Sequence, residues 1–157
     1  MESMSSESGP EKAEKWRHFR FTWTGMLALL AIIGIIAAVA IPSYGDYIHR
    51  AQASEAISLM GAAKSPLAEY FDAHRKWPNK LEEVAGNTSG KYTLSVAITK
   101  GAGRSDEIEL TATMRSEGVD RRVRGQTARM LSADGGKSWI CRPGTMPAKN
   151  LPAACRN

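Results

Sequence analysis

Histidine and cysteine are scarce in this 157-residue chain, at three and two, and the scarcity closes off most metal and nucleophile chemistry. Two cysteines without a supporting histidine cannot build a tetrahedral metal site. The histidines, His18, His49 and His74, are scattered and lack metal-ligand spacing. His49 and His74 read as solvated residues of a helix surface. No nucleophile elbow, phosphate-cradling loop or acid pair is present, so neither catalysis nor a cofactor is expected. Internal repeats are absent too. The most informative absence is charge, which is missing from residues 21–45. Within that stretch residues 21–41 are almost wholly apolar, and 21 residues at about 1.5 Å rise reach roughly 31 Å, the thickness of a bilayer core. A wholly soluble cytosolic protein is not expected.

Charge elsewhere sets an orientation. The first twenty residues hold Lys12, Lys15, Arg17 and Arg20 against four acids, so the net charge of +5 belongs to the rest of the chain. Orientation follows the bases near the membrane and largely ignores acids. Four bases precede the apolar run closely, and Arg50 alone lies close behind it. This predicts a cytoplasmic N-terminus with residues 43–157 on the far side. Trp16, Phe19 and Trp23 flank the membrane entry as interfacial anchors. Cys141 and Cys155 both fall in the exported part, where an oxidising compartment lets a disulfide persist. A bond between them closes a loop and is worth about 3 kcal/mol on the chain-entropy model. It is preferred to two free thiols, because Pro143, Pro147 and Pro152 leave that loop slack without a clasp.

Residues 1–10 are polar and end in Gly-Pro, which reads as a disordered lead-in. The apolar segment is too long for a secretory signal, and no small-residue cleavage site follows it. A helical pattern starts at Glu11 and runs on through the membrane segment, with Pro42 placed to kink rather than end it. Ala51, Ala56, Leu59, Met60, Ala63, Leu67, Tyr70 and Phe71 recur at three- and four-residue spacing, one apolar helical face. Pro66 is expected to perturb the last turns, and Trp77-Pro78 to close them. Residues 81–85 suit one short turn. Residues 92–99 and 107–113 alternate as half-buried strands around a hairpin loop at 100–106, and 127–132 is a third strand. Asp134-Gly135-Gly136 turns into a fourth strand, 137–142. The expected fold class is α+β, a long helix covering one face of a four-stranded antiparallel meander. Trp77 and Trp139 are assigned to its core.

Together these features resemble the type IV pilins over residues 21–157. The stretch FTWTGMLALLAIIGIIAAVAIPSYGDYIHRAQASEA is similar to their N-terminal helix, with Phe21 at the mature N-terminus, Gly34 and Pro42 at matching offsets, and Tyr44, Tyr47 and Arg50 following. The match continues in KSPLAEYFDAHRKWP and in the closing WICRPGTMPAKNLPAACRN. The resemblance implies a leader (1–20), a transmembrane and filament-core helix (21–42) and a periplasmic or fibre-surface head (43–157). It also implies anchorage in the bacterial inner membrane, then an extracellular fibre for adhesion, twitching motility or DNA uptake. Implied partners are other pilin subunits, the assembly platform and, in DNA-uptake fibres, DNA. Gly25, Gly34 and Pro42 are the candidates for filament-core packing, helped by Ala28, Ala31, Ala37, Ala38 and Ala40.

Two positions depart from the family. Arg20 stands where the family has Gly before the cleaved bond, and Gly25 stands where it has Glu at the fifth mature residue. In the family that glutamate pairs with a neighbour's terminal amine. Losing both features is consistent with a leader never removed at the Arg20–Phe21 junction, which would leave a membrane-resident accessory protein. A processed but divergent minor pilin is the other reading. Arg115, Arg121, Arg122, Arg124 and Arg129 form the one candidate surface for DNA or phosphate. The preferred reading of that set is a solvated, subunit-facing charge cluster, because no exposed aromatics interleave for base stacking.

Overall fold

The computed structural model describes residues 22–156. The expectations for Trp16, Phe19, Arg20, Phe21 and the helix onset near Glu11 lie outside those residues. The chain forms two compact units, Met1–Ala38 and Val39–Asn157. Helix α1 is Trp23–Ala62 and continues through Pro42. In the first unit its leucines and isoleucines are exposed, with Ile35 at 69% and Ile36 at 61%.

In the second unit the helical face is a narrow stripe. His49, Ala53, Ala56 and Met60 of α1 are buried, followed by Ala63 and by Leu67 of α2 (Lys64–His74). Their spacing alternates between four and three, which keeps one stripe facing inward. Ala53 belongs to it and Ala51 does not. The expected placement of Ala51 is thereby corrected, because it falls on the exposed side. Leu59, Tyr70 and Phe71 are half-buried at the flank. His49 is likewise corrected from a solvated residue to a buried one, 3% exposed.

The break between α1 and α2 falls at Ala63, three residues before Pro66. Proline lacks an N–H, and its ring crowds the carbonyl four residues back, here that of Ala62. Helix α2 ends sooner than Trp77-Pro78. Arg75 takes a left-handed conformation (φ 56°), and its N–H bonds Phe71 O at 2.7 Å. Trp77 then turns fully inward, its indole Nε1 donating to Asp106 O at 2.6 Å and its ring 4.4 Å from that of Phe71. Trp139 meets the Trp77 ring edge-on, with centroids 6.3 Å apart.

The sheet is an antiparallel meander in the order β1-β2-β3-β4. Its strands are β1 (Thr93–Lys100), β2 (Ile108–Met114), β3 (Thr127–Ser132) and β4 (Ile140–Pro143). Strand β2 alternates cleanly, burying Ile108, Leu110, Ala112 and Met114, and β3 buries Ala128, Met130 and Ser132. The apolar members of these strands and of the helical stripe form one core. Strand β4 starts three residues later than the sequence pattern predicts. The Asp134 carboxylate takes Ser138 into its own turn, accepting from Ser138 N at 2.9 Å. That turn needs Gly135 and Gly136 at φ 73° and 88°, which side chains rarely adopt.

Candidate functional site

Among the described residues one helix is long and apolar enough to cross a membrane. Gly25 and Gly34 lie on its first-unit part, and a Cβ placed at Gly34 meets nothing within 4 Å. Beyond them, in the second unit, Val39, Ile41, Tyr44 and Tyr47 of α1 are all exposed. Burying such a surface is favourable, at about 25 cal/mol per Å² of apolar area. In water this surface demands a lipid or protein partner.

A second feature is the C-terminal loop. Cys141 on β4 is bonded to Cys155, with their Cα atoms 4.7 Å apart. The loop between them is fastened internally as well. Thr127 N donates to Thr145 Oγ1 and Thr145 N to Thr127 Oγ1, both at 2.9 Å. Met146 and Leu151 fill the core, and Asn150 Nδ2 donates to Arg122 O at 2.9 Å. A Cβ at Gly144 would run into Thr127, so the close approach of the two segments requires glycine there.

The five arginines are not held as one open surface. Arg115 donates through Nε and Nη2 to Gly90 O at 3.1 and 3.0 Å. Arg129 donates to Pro143 O and forms an ion pair with Glu109 at 3.4 Å. Arg122 donates to Asp46 Oδ1 at 2.6 Å. The side chains of Arg121 and Arg124 are exposed and form no ion pair among the described residues. Glu82, Glu83 and Glu117 likewise lie exposed, and Asp120 caps the turn by accepting from Arg122 N at 2.9 Å.

Around Arg122 a polar cradle opens, a cavity of about 280 Å³ lined by Asp46, His49, Arg50, Arg122, Lys149 and Asn150. Three elements build it: α1, the turn after Asp120 and the disulfide loop. Asp120 N donates to Gln52 Oε1 at 2.8 Å, which ties the turn to α1. His49 Nδ1 lies 2.9 Å from Gly45 O and 3.2 Å from Arg122 Nη1. It serves one of them, as an N–H donor to the carbonyl or as an acceptor from the guanidinium. The Arg50 and Lys149 side chains have no ion-pair partner among the described residues.

Sequence reasoning missed Glu55. Its Oε1 accepts from the backbone N–H of Tyr92 and Thr93 at 2.8 and 2.9 Å, joining α1 to the start of β1. Burial is the largest single influence and works against the ionised carboxylate, but the hydrogen bonds from Tyr92, Thr93 and Lys91 together outweigh it and hold the pKa below the usual glutamate value. A Cβ at Gly90 would collide with this carboxylate. Nothing in the local pattern marks Glu55, because its partners lie 37 and 38 positions away. Asp134 is a local case. Bonds from the Ser138 hydroxyl and N–H, helped by Ser132, bring its pKa down to about 2.

A family model described as Pilin (bacterial filament) matches residues 49–156. The fimbrial protein EcpC of Eikenella corrodens is 41% identical over 141 residues, covering 87% of this chain and 90% of that protein. The type IV major pilin protein PilE of Neisseria gonorrhoeae is 34% identical, covering 87% and 93%. The type IV major fimbrial protein FimA of Dichelobacter nodosus is 46% identical over 79 residues, covering 48% of this chain and 49% of that protein. A long apolar helix, a four-stranded meander and a disulfide-closed C-terminal loop thus agree with the sequence matches, and the chain belongs to the pilin family.

Proposed function

We propose that this chain is a structural subunit of a type IV pilus. Its apolar helix holds it in the inner membrane before assembly and packs against copies of itself in the fibre afterwards. The observation that carries this reading is the uncharged run of residues 21–45, whose described leucines and isoleucines lie exposed along α1. Such a surface suits lipid first and neighbouring helices second, and its alanines and Gly34 permit close helix-on-helix approach. The role is mechanical rather than enzymatic. The N-terminus faces the cytoplasm, in keeping with the four bases ahead of the run.

The test is assembly. Cells carrying an epitope in the exposed 102–106 loop are sheared, and the released fibres are probed by immunogold electron microscopy. Decoration along the fibres supports a subunit. Label confined to cell bodies while fibres are shed supports a membrane-resident accessory protein instead. DNA contact has less support, because three of the five arginines are engaged within the fold.

A further inference from the structure

We propose that the cradle formed by Asp46, Arg50, Arg122 and Lys149 binds the phosphate of an anionic phospholipid headgroup while the subunit resides in the membrane. The proposal rests on the membrane anchorage argued above. Three cations and one carboxylate line the cavity, and the carboxylate is already taken by Arg122. Arg50 and Lys149 remain uncommitted among the described residues. Two such ammonium and guanidinium groups beside one cavity suit a phosphate monoanion, and a guanidinium matches phosphate oxygens well.

Position selects the source of that phosphate. Asp46 lies five residues past Ile41, the last residue of the apolar run, or about 7.5 Å of helical rise. The headgroup layer occupies roughly 5–8 Å on each side of the hydrocarbon core. The Asp46 turn therefore falls at headgroup depth. Helical side chains slope toward the N-terminus, so Arg50 leans back toward the same layer. Tyr44 and Tyr47 are exposed on this stretch, as aromatic residues at a membrane interface are. Lys149 arrives from the disulfide loop, so the head and the helix close on the ligand from two sides. A headgroup bound here would steady the head at the membrane surface and would have to be released when the subunit enters a fibre.

The experiment uses the full chain in detergent, with native mass spectrometry as the readout. Phosphatidylglycerol and phosphatidylcholine compete for retention by the wild type and by the double variant Arg50→Gln with Lys149→Gln. Neither side chain makes a hydrogen bond or ion pair among the described residues, and an unchanged melting temperature confirms folding. The expected result is a preference for phosphatidylglycerol of about tenfold or more in the wild type, lost in the variant. Inorganic phosphate alone should displace the lipid only weakly. Equal retention of the two lipids by the wild type, or an unchanged preference in the variant, overturns the proposal. So does displacement by inorganic phosphate as effective as by lipid, which would mark a free-anion site. A variant with normal lipid retention that is missing from fibres also overturns it, in favour of a subunit contact. Carbonate-resistant pelleting with membranes is measured alongside. Failure there defeats the anchorage itself, whereas an anchored chain without lipid preference defeats the cradle alone.

Discussion

Arg122 Nη1 donates to Asp46 Oδ1 at 2.6 Å, joining residues 76 positions apart. The same arginine offers its carbonyl to Asn150 Nδ2. One residue thus links α1, the turn after Asp120 and the disulfide loop. The ion pair is a locator more than a source of stability. Its side chains are 49% and 57% exposed, and pairs in that setting contribute about 0.2–1 kcal/mol. A double-mutant cycle of Arg122→Gln and Asp46→Asn, read by denaturant unfolding, should give a coupling below about 1 kcal/mol that shrinks as salt rises. A coupling unaffected by salt would contradict this.

Glu55 is expected to matter more. Glu55→Ala strands the N–H groups of half-buried Tyr92 and buried Thr93, and a buried unpaired donor costs about 1–3 kcal/mol. Glu55→Gln keeps an acceptor and should cost less. The depressed folded pKa also sets a pH dependence. The stability that the ionised form contributes is complete above the ordinary value of 4.5 and is lost as pH falls through the lower folded value. The melting temperature of Glu55→Gln should therefore fall less steeply with acid than that of the wild type. Parallel acid limbs for the two proteins would refute the clamp.

The disulfide loop yields a third expectation. Cys155→Ser removes the bond to Cys141 and should cost about 2–4 kcal/mol. Hydrogen exchange should quicken in residues 142–154, with less change at the amides of β2. Thr127, Thr145 and Asn150 keep part of the loop in place, so it should loosen without unfolding the sheet. Uniform loss of protection across the sheet would show the loop to be integral to the core.

The leader gives a fourth. An unpaired ion buried in a helix bundle costs several kcal/mol even after relaxation. With Gly25 in place of the family's glutamate, a free amine at Phe21 would have no carboxylate to receive it. Slow incorporation is the expected consequence of that amine, while Arg20 in place of the family's Gly is expected to slow removal of residues 1–20. Arg20→Gly alone should raise cleavage more than fibre incorporation, while Arg20→Gly with Gly25→Glu should raise both. Quantitative immunoblots of membrane and fibre fractions decide between these outcomes.

Much of this fold was legible because its signals are local. Alternation marks the bounds of β1 and β2 to within a residue, although in β1 Thr93 and Val96 are buried while Leu94 lies exposed, and Asp134-Gly135-Gly136 marks the turn into β4. The stripe was harder to place. Alanine is small enough to suit either side of a helix, so Ala51 and Ala53 cannot be told apart without knowing where the sheet lies. His49 is hard to place for a related reason, since Asp46 and Arg50 lie within one helical turn of it while its neighbours in space, Arg122 and Asn150, come from far along the chain. The arginine set looked like a patch because its members are close in sequence. Arg115, Arg122 and Arg129 point to separate partners, Gly90, Asp46 and Glu109.

The central claim is that this chain is a fibre subunit, and intact-mass analysis of sheared fibres from wild-type cells tests it most directly. The account predicts the chain itself in the washed fibre fraction, oxidised at Cys141 and Cys155, and resistant to extraction until the fibres are dissolved by detergent. Finding the chain in the membrane fraction alone, while fibres from the same cells carry none of it, would contradict the account.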